Sequence, residues 1–142
     1  MILTGSFDLK TMTVSATATA KGYSEQFTPP ASVVSNLTDL YTHVLHPLVS
    51  HLEGEINVTC AYRCPRVNSD VGGKDTSQHL TGHAADVEYR VKGVERNDLL
   101  VQAIKDLDLD FDQCILENGK NGWVHISYRK GKNRKQFLSL TV

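Results

Sequence analysis

Two segments of this chain carry the side chains that hydrolytic metal sites use. The first is Ser77-Gln78-His79-Leu80-Thr81-Gly82-His83-Ala84-Ala85-Asp86, and the second is Trp123-Val124-His125. Two histidines and one aspartate drawn from both can make a three-ligand zinc site with an open fourth position. That is the pattern of a catalytic metal, because a structural zinc is normally closed by four protein ligands. Imidazole and carboxylate suit zinc without any thiolate. Zinc on two neutral imidazoles and one carboxylate keeps a net positive charge, which favours ionising a bound water near neutral pH.

The spacing Ser-x-His-x-x-Gly-x-Ala-x-Asp, followed by Trp-x-His, resembles the zinc D-alanyl-D-alanine carboxypeptidases and related phage cell-wall lysins. These share a fold with lysostaphin-type peptidases and the hedgehog amino-terminal signalling domain. Ala61-Tyr62-Arg63-Cys64-Pro65-Arg66-Val67-Asn68 is similar to the family's Gly-Tyr-Arg-Ser-Pro-x-x-Asn, with Ala61 in place of glycine. Phe111-Asp112-Gln113 and Asn133-Arg134 match weaker family features, so the likeness covers most of residues 56–142 and fits the first third more loosely. The resemblance implies one zinc ion per chain, held by His79, Asp86 and His125. It also implies a peptidase acting on peptidoglycan stem peptides, of carboxypeptidase or endopeptidase type.

A hydrolytic zinc needs a group to accept the water's proton. The resembled family and its hedgehog relatives place an acidic residue beside the metal at the end of the strand that Glu117 closes, so Glu117 is the expected catalytic base. Asp112 competes for that role, but it lies at the far end of the same strand and on its opposite face. Arg63 follows a strand and precedes Pro65, which restrains its backbone. Its guanidinium is expected to hold a substrate carbonyl or terminal carboxylate through paired hydrogen bonds. Ser77 is a second expected peptide-binding side chain.

His79 and His83 stand four apart, the spacing by which a zincin helix presents two ligands. That helix needs Glu directly after the first histidine, where this chain has Leu80, and Thr81-Gly82 opposes a helix. His83 therefore reads as a residue beside or around the ligands. His43, His46 and His51 read as helix-surface residues. Taken singly, His79, Asp86 and His125 could be an exposed loop histidine, a solvent-facing strand residue and a half-buried one; the motif unites them.

A chain of 142 residues, 40% hydrophobic and 22% charged, makes one ordinary globular domain spanning 1–142. A net charge of −1 argues against a nucleic-acid binder. Three cysteines, Cys60, Cys64 and Cys114, are too few for a disulfide framework; Cys60-x-x-x-Cys64 could bind metal, but no second pair completes four ligands, so they read as buried free thiols. No stretch suits membrane insertion, and the start lacks the pattern of a signal peptide. The expectation is a monomer made in the cytoplasm, reaching the wall as a phage lysin if a holin releases it. Two other readings fit the same residues: a non-catalytic zinc-binding interaction module, and a cytoplasmic D-Ala-D-Ala dipeptidase.

The elements that must position these groups follow from periodicity. Residues 7–21 predict a weak short helix, ended by Pro29-Pro30. Val33, Leu37, Leu40, Tyr41, Val44, Leu45, Leu48 and Leu52 recur at helical spacing, with a kink expected at Pro47. Strands are expected at 56–62, 84–90, 111–117, 122–129 and 136–142, the last two joined by a turn around Gly131. A second amphipathic helix is expected at 97–107, and a loop at 65–78. Residues 129–135 hold five basic side chains in seven and read as a solvated hairpin that blunts a strand edge. The whole predicts an α+β domain with a mostly antiparallel sheet packed against helices.

Overall fold

In the computed structural model, which describes residues 1–141, the chain is α+β. The helices are α1 (Leu9–Met12), α2 (Ala16–Lys21), α3 (Ala31–Leu40), α4 (His46–His51), α5 (Pro65–Asp70) and α6 (Asn97–Asp106). The strands are β1 (Glu55–Cys60), β2 (Ala84–Val91), β3 (Val94–Glu95), β4 (Gln113–Glu117), β5 (Trp123–Ser127) and β6 (Gln136–Leu140). Among the described residues they form one sheet in the order β1-β2-β5-β4-β6, with β3 paired to β2. Every pairing is antiparallel except β4 with β6.

Alternation along the strands separates two faces. Ile56, Val58, Ala85, Val87, Tyr89, Cys114, Val124 and Ile126 point into the core, where Leu37, Leu40, Val44, Leu45 and Leu48 meet them from one helical run and Leu100, Ala103 and Ile104 from α6. The first run contains Ser, Thr and Asn, whose helix propensities cost only about 0.5 kcal/mol each. Fully burying a leucine contributes about 1.5–3 kcal/mol, so packing decides the helix. The opposite sheet face is left free for Asp86, His125, Ile115 and Glu117.

The expected kink at Pro47 takes a specific form. The run continues from 31 to 51 through a π-helical turn, Tyr41–Leu45, in which the His46 N–H reaches the Tyr41 carbonyl five residues back. Widening the helix there accommodates a residue that has no N–H and whose ring would collide with the carbonyl of His43. Three other expectations are corrected. Residues 7–21 are two helices, because Asp8 caps α1 and Ser15 accepts from the Ala18 N–H to start α2 afresh. The 65–78 loop contains α5, opened by Pro65 at its first position, where a missing N–H does no harm.

The third correction concerns β6, whose expected final residue, Val142, lies outside the described residues. The turn at Gly131 is present, but β6 does not pair with β5. Residues 128–135 cross the end of β4, and β6 lies parallel to β4 on its far side. Asp112, fully buried, gathers this crossing by accepting from the Arg134 backbone and guanidinium. No helix of the described residues is long and apolar enough to cross a membrane.

Candidate metal centre

Asp86 of β2 stands directly opposite His125 of β5, so the two side chains leave the sheet side by side. His79 approaches from above, on the 3₁₀ turn Gln78–Thr81. Ser77 Oγ caps that turn by accepting from the His79 N–H at 3.3 Å. Gly82 ends it with φ +77°, and a Cβ there would stand 2.8 Å from the Val33 carbonyl. Glycine thus lets the turn both reverse and press against α3. The Arg63 N–H donates to the His79 carbonyl, tying the turn to the chain leaving β1. His79 is consequently buried in an ordered turn, not exposed in a loop.

The hydrogen bonding of His79 shows what the centre can hold. Its Nδ1 lies 2.7 Å from the Ala61 carbonyl, which can only accept, so Nδ1 carries the hydrogen. Nε2 then faces Asp86 Oδ2 at 3.3 Å. Asp86 Oδ1 is 3.0 Å from His125 Nδ1. A neutral His79 would turn a lone pair on a carboxylate, so either a proton or a metal cation belongs between them. Burial opposes a charge on His79, but its contacts with Asp86 and Cys60 outweigh this and raise its pKa to about 10. Burial likewise disfavours ionised Asp86, yet His125 and His79 hold its carboxyl well below the usual range.

Zinc fits this demand. Two donors on a tetrahedral zinc stand about 3.3 Å apart, given bonds of about 2.0–2.2 Å. The contacts of 3.3 and 3.0 Å are close to that spacing. A metal-ligating histidine ordinarily donates its other ring N–H to a carbonyl or carboxylate, as His79 does to Ala61. His125 Nε2 faces Gln78 Oε1 at 3.5 Å. Gln78 in turn donates to Asp112 at 2.9 Å, so Arg134, Asp112 and Gln78 form a chain reaching the back of His125.

The three groups lie in a cleft of about 990 Å³ whose walls also carry Arg63, Ser77 and Glu117. Arg63 Nη2 donates to Ser77 Oγ at 3.1 Å, while its buried Nε has no protein partner. The loop bearing Arg63 hangs on fully buried Gln26, which donates to the Thr13 and Tyr62 carbonyls and accepts from the Cys64 N–H. Glu117 pairs with Trp123, on the same sheet face as His125 and two residue pairs further along. Diagonal neighbours of this kind stand about 7–8 Å apart, within reach of a glutamate. Asp112 is locked to Arg134 and does not line the cleft.

Several residues lie elsewhere than sequence reasoning put them. Of the basic run, read as a solvated hairpin, Arg129 and Arg134 line the cleft. His83 bonds Thr81 Oγ1 and lines a neighbouring cavity beside Arg129. His43, His46 and His51 are exposed on the helix as expected. All three cysteines are free, but Cys60 is only half-buried and lies against His79. From sequence, Gln26 and Gln78 have no role in the centre and Cys60 is set aside as a free thiol. Gln78 and Cys60 adjoin motif residues, whereas nothing near Gln26 in sequence signals its task.

No curated protein sequence matches the chain. The family model for peptidase M15, however, matches residues 5–127, from the amino-terminal helices through the end of β5. That span takes in His79, Asp86, His125, Arg63 and Glu117 together with Gln26. The cation-seeking arrangement therefore sits within a match covering most of the sequence, and the chain belongs to the peptidase M15 family of zinc metallopeptidases.

Proposed function

We propose that this protein hydrolyses peptide bonds in peptidoglycan stem peptides, as a D-Ala-D-Ala carboxypeptidase or an endopeptidase, with zinc held by His79 Nε2, Asp86 and His125 Nδ1. The observation that carries the reading is the cation-demanding His79–Asp86–His125 group at the bottom of a cleft flanked by Arg63 and Glu117. Bound zinc supplies a fixed positive charge that polarises a carbonyl and acidifies water. Glu117 accepts the proton of the attacking water and delivers it to the leaving amine. Arg63, steadied by Ser77, turns its remaining donors to the substrate carbonyl or terminal carboxylate and stabilises the charge that develops there.

The cleft is large enough for a stem peptide. Pockets that enclose drug-sized ligands measure about 300–1,000 Å³, and this one, at about 990 Å³, has room for several residues. The test is mass spectrometry of purified muropeptides after digestion by the zinc-loaded protein. Loss of one alanine, a split stem and an opened cross-link each give a different product mass. If every muropeptide and intact wall stays uncut, the peptidase reading fails and a zinc-binding module of the same fold replaces it.

A further inference from the structure

Cys60 reaches the centre through a defect in strand pairing. β1 and β2 run in register at Val58 with Val87, then shift so that Cys60 faces Asp86, leaving Thr59 as an extra residue. In unbroken register Thr59 would face Asp86, and Cys60 would point into the core opposite Ala85. The bulge alone turns the thiol onto the metal side of the sheet, a known way of re-aiming a side chain. Thr59 stabilises it by donating to the Asp86 carbonyl at 3.2 Å.

The re-aimed sulfur lies against the His79 ring, and one donor atom from each of Cys60, His79 and Asp86 falls within 4.8 Å of the other two. A tetrahedral ion with bonds of about 2.3 Å to sulfur and about 2.0–2.2 Å to nitrogen and oxygen needs separations of about 3.3–3.6 Å. Rotation about the Cys60 side-chain torsion changes the position of Sγ relative to the two other donors. Cys60 approaches Asp86 from β1 and His125 approaches it from β5, so the sulfur and the second imidazole flank one shared carboxylate. Thiolate is a soft ligand and selects soft cations, which the imidazole–carboxylate set does not.

We propose that Cys60, His79 and Asp86 form a second, thiolate-containing cation set that captures a thiophilic divalent ion such as cadmium, without His125 and in place of zinc. Ligation releases the thiol proton to solvent as the sulfur–metal bond forms. The proposal rests on the assignment of His79 and Asp86 as metal donors above, but not on the substrate or on hydrolysis.

The experiment titrates the metal-free full-length chain with cadmium and follows the thiolate-to-metal charge-transfer absorption in the ultraviolet. One equivalent should produce the band in the parent and in His125→Ala. Cys60→Ser and Cys60→Ala should lose it and bind cadmium about tenfold more weakly or worse, since even residues one step behind a ligand are worth about 10–100-fold in affinity. Both replacements are smaller than cysteine at a half-buried site, and far-ultraviolet circular dichroism should match the parent. A parent without the band overturns the proposal. So does a band that survives in Cys60→Ser, which would come from Cys64 or Cys114, and so does its loss in His125→Ala. Zinc content and muropeptide digestion are measured separately. Zinc binding and hydrolysis without a cadmium band sink only this inference, while the band without hydrolysis sinks only the peptidase reading.

Discussion

His79 has one nitrogen committed to a carbonyl and the other aimed at a carboxylate, and the proposed metal set rests on these individual atoms. Replacing His79, Asp86 or His125 by alanine should strip zinc from the chain, whereas His83→Ala should keep it. Metal analysis of the four variants decides this, and full zinc in Asp86→Ala with loss in His83→Ala would mean a different trio. Zinc binds the folded state alone, so each ligand variant should also melt earlier. At a thousandfold excess over Kd the lost stabilisation is about 4 kcal/mol. Glu117→Gln keeps the shape of the side chain and removes its basicity. Zinc should stay at one per chain while turnover falls by about 10²–10⁴-fold, the usual worth of a positioned base. A variant as fast as the parent would remove Glu117 from the mechanism.

Elements hold these atoms through a few positions that tolerate no substitute. Glu117 ends β4 where the chain turns through Asn118–Gly122 into β5, and a Cβ on Gly122 would stand 1.8 Å from the Glu117 carbonyl. Backbone atoms cannot yield by that much, so Gly122→Ala must rebuild the turn and re-aim Glu117. Zinc content should be unchanged, because Asp86 and His125 pair deeper in the sheet, while kcat falls in the manner of Glu117→Gln. Retained kcat in Gly122→Ala would show that the turn does not position the base. The β1 bulge works in the same way for Cys60, and the 3₁₀ turn closed by Gly82 does so for His79.

At the scale of the molecule, Asp112 joins β4, the crossing to β6 and the Gln78 turn in one ion-paired knot. Its hydrogen bond with the Arg134 guanidinium outweighs burial and holds its pKa at about 2, against an ordinary 3.8. The unfolded chain therefore binds more protons between those values, and acid favours unfolding. The stabilisation is whole above about pH 4 and is lost as the pH falls through about 2. Its size is about 1–2 kcal/mol, reduced from the full shift because the Arg134 side chain is half in water. Asp112→Asn should unfold more readily than the parent at pH 6, and the gap between them should close by pH 2. Denaturant midpoints across that range measure it; a constant gap would mean the pairing contributes nothing to acid stability.

The identities and spacing of Ser77, His79, Gly82, Ala84, Asp86 and His125 pointed to the peptidase M15 family that the match over residues 5–127 shows, because a motif is carried by residue types at fixed spacing. The helix at 31–51 and the strands at 55–60, 84–91 and 123–127 were likewise legible, since burying one face imposes its period on the sequence. What local pattern could not carry were relations between residues far apart in the chain. Gln26 serving the Arg63 loop, Asp112 capturing Arg134, and β6 crossing to run parallel with β4 each depend on which surfaces meet after folding. The bulge at Thr59 belongs with them. A one-residue shift in pairing leaves the β1 sequence unchanged yet reverses the face to which Cys60 points, so only the assembled sheet decides that a thiol faces the metal centre.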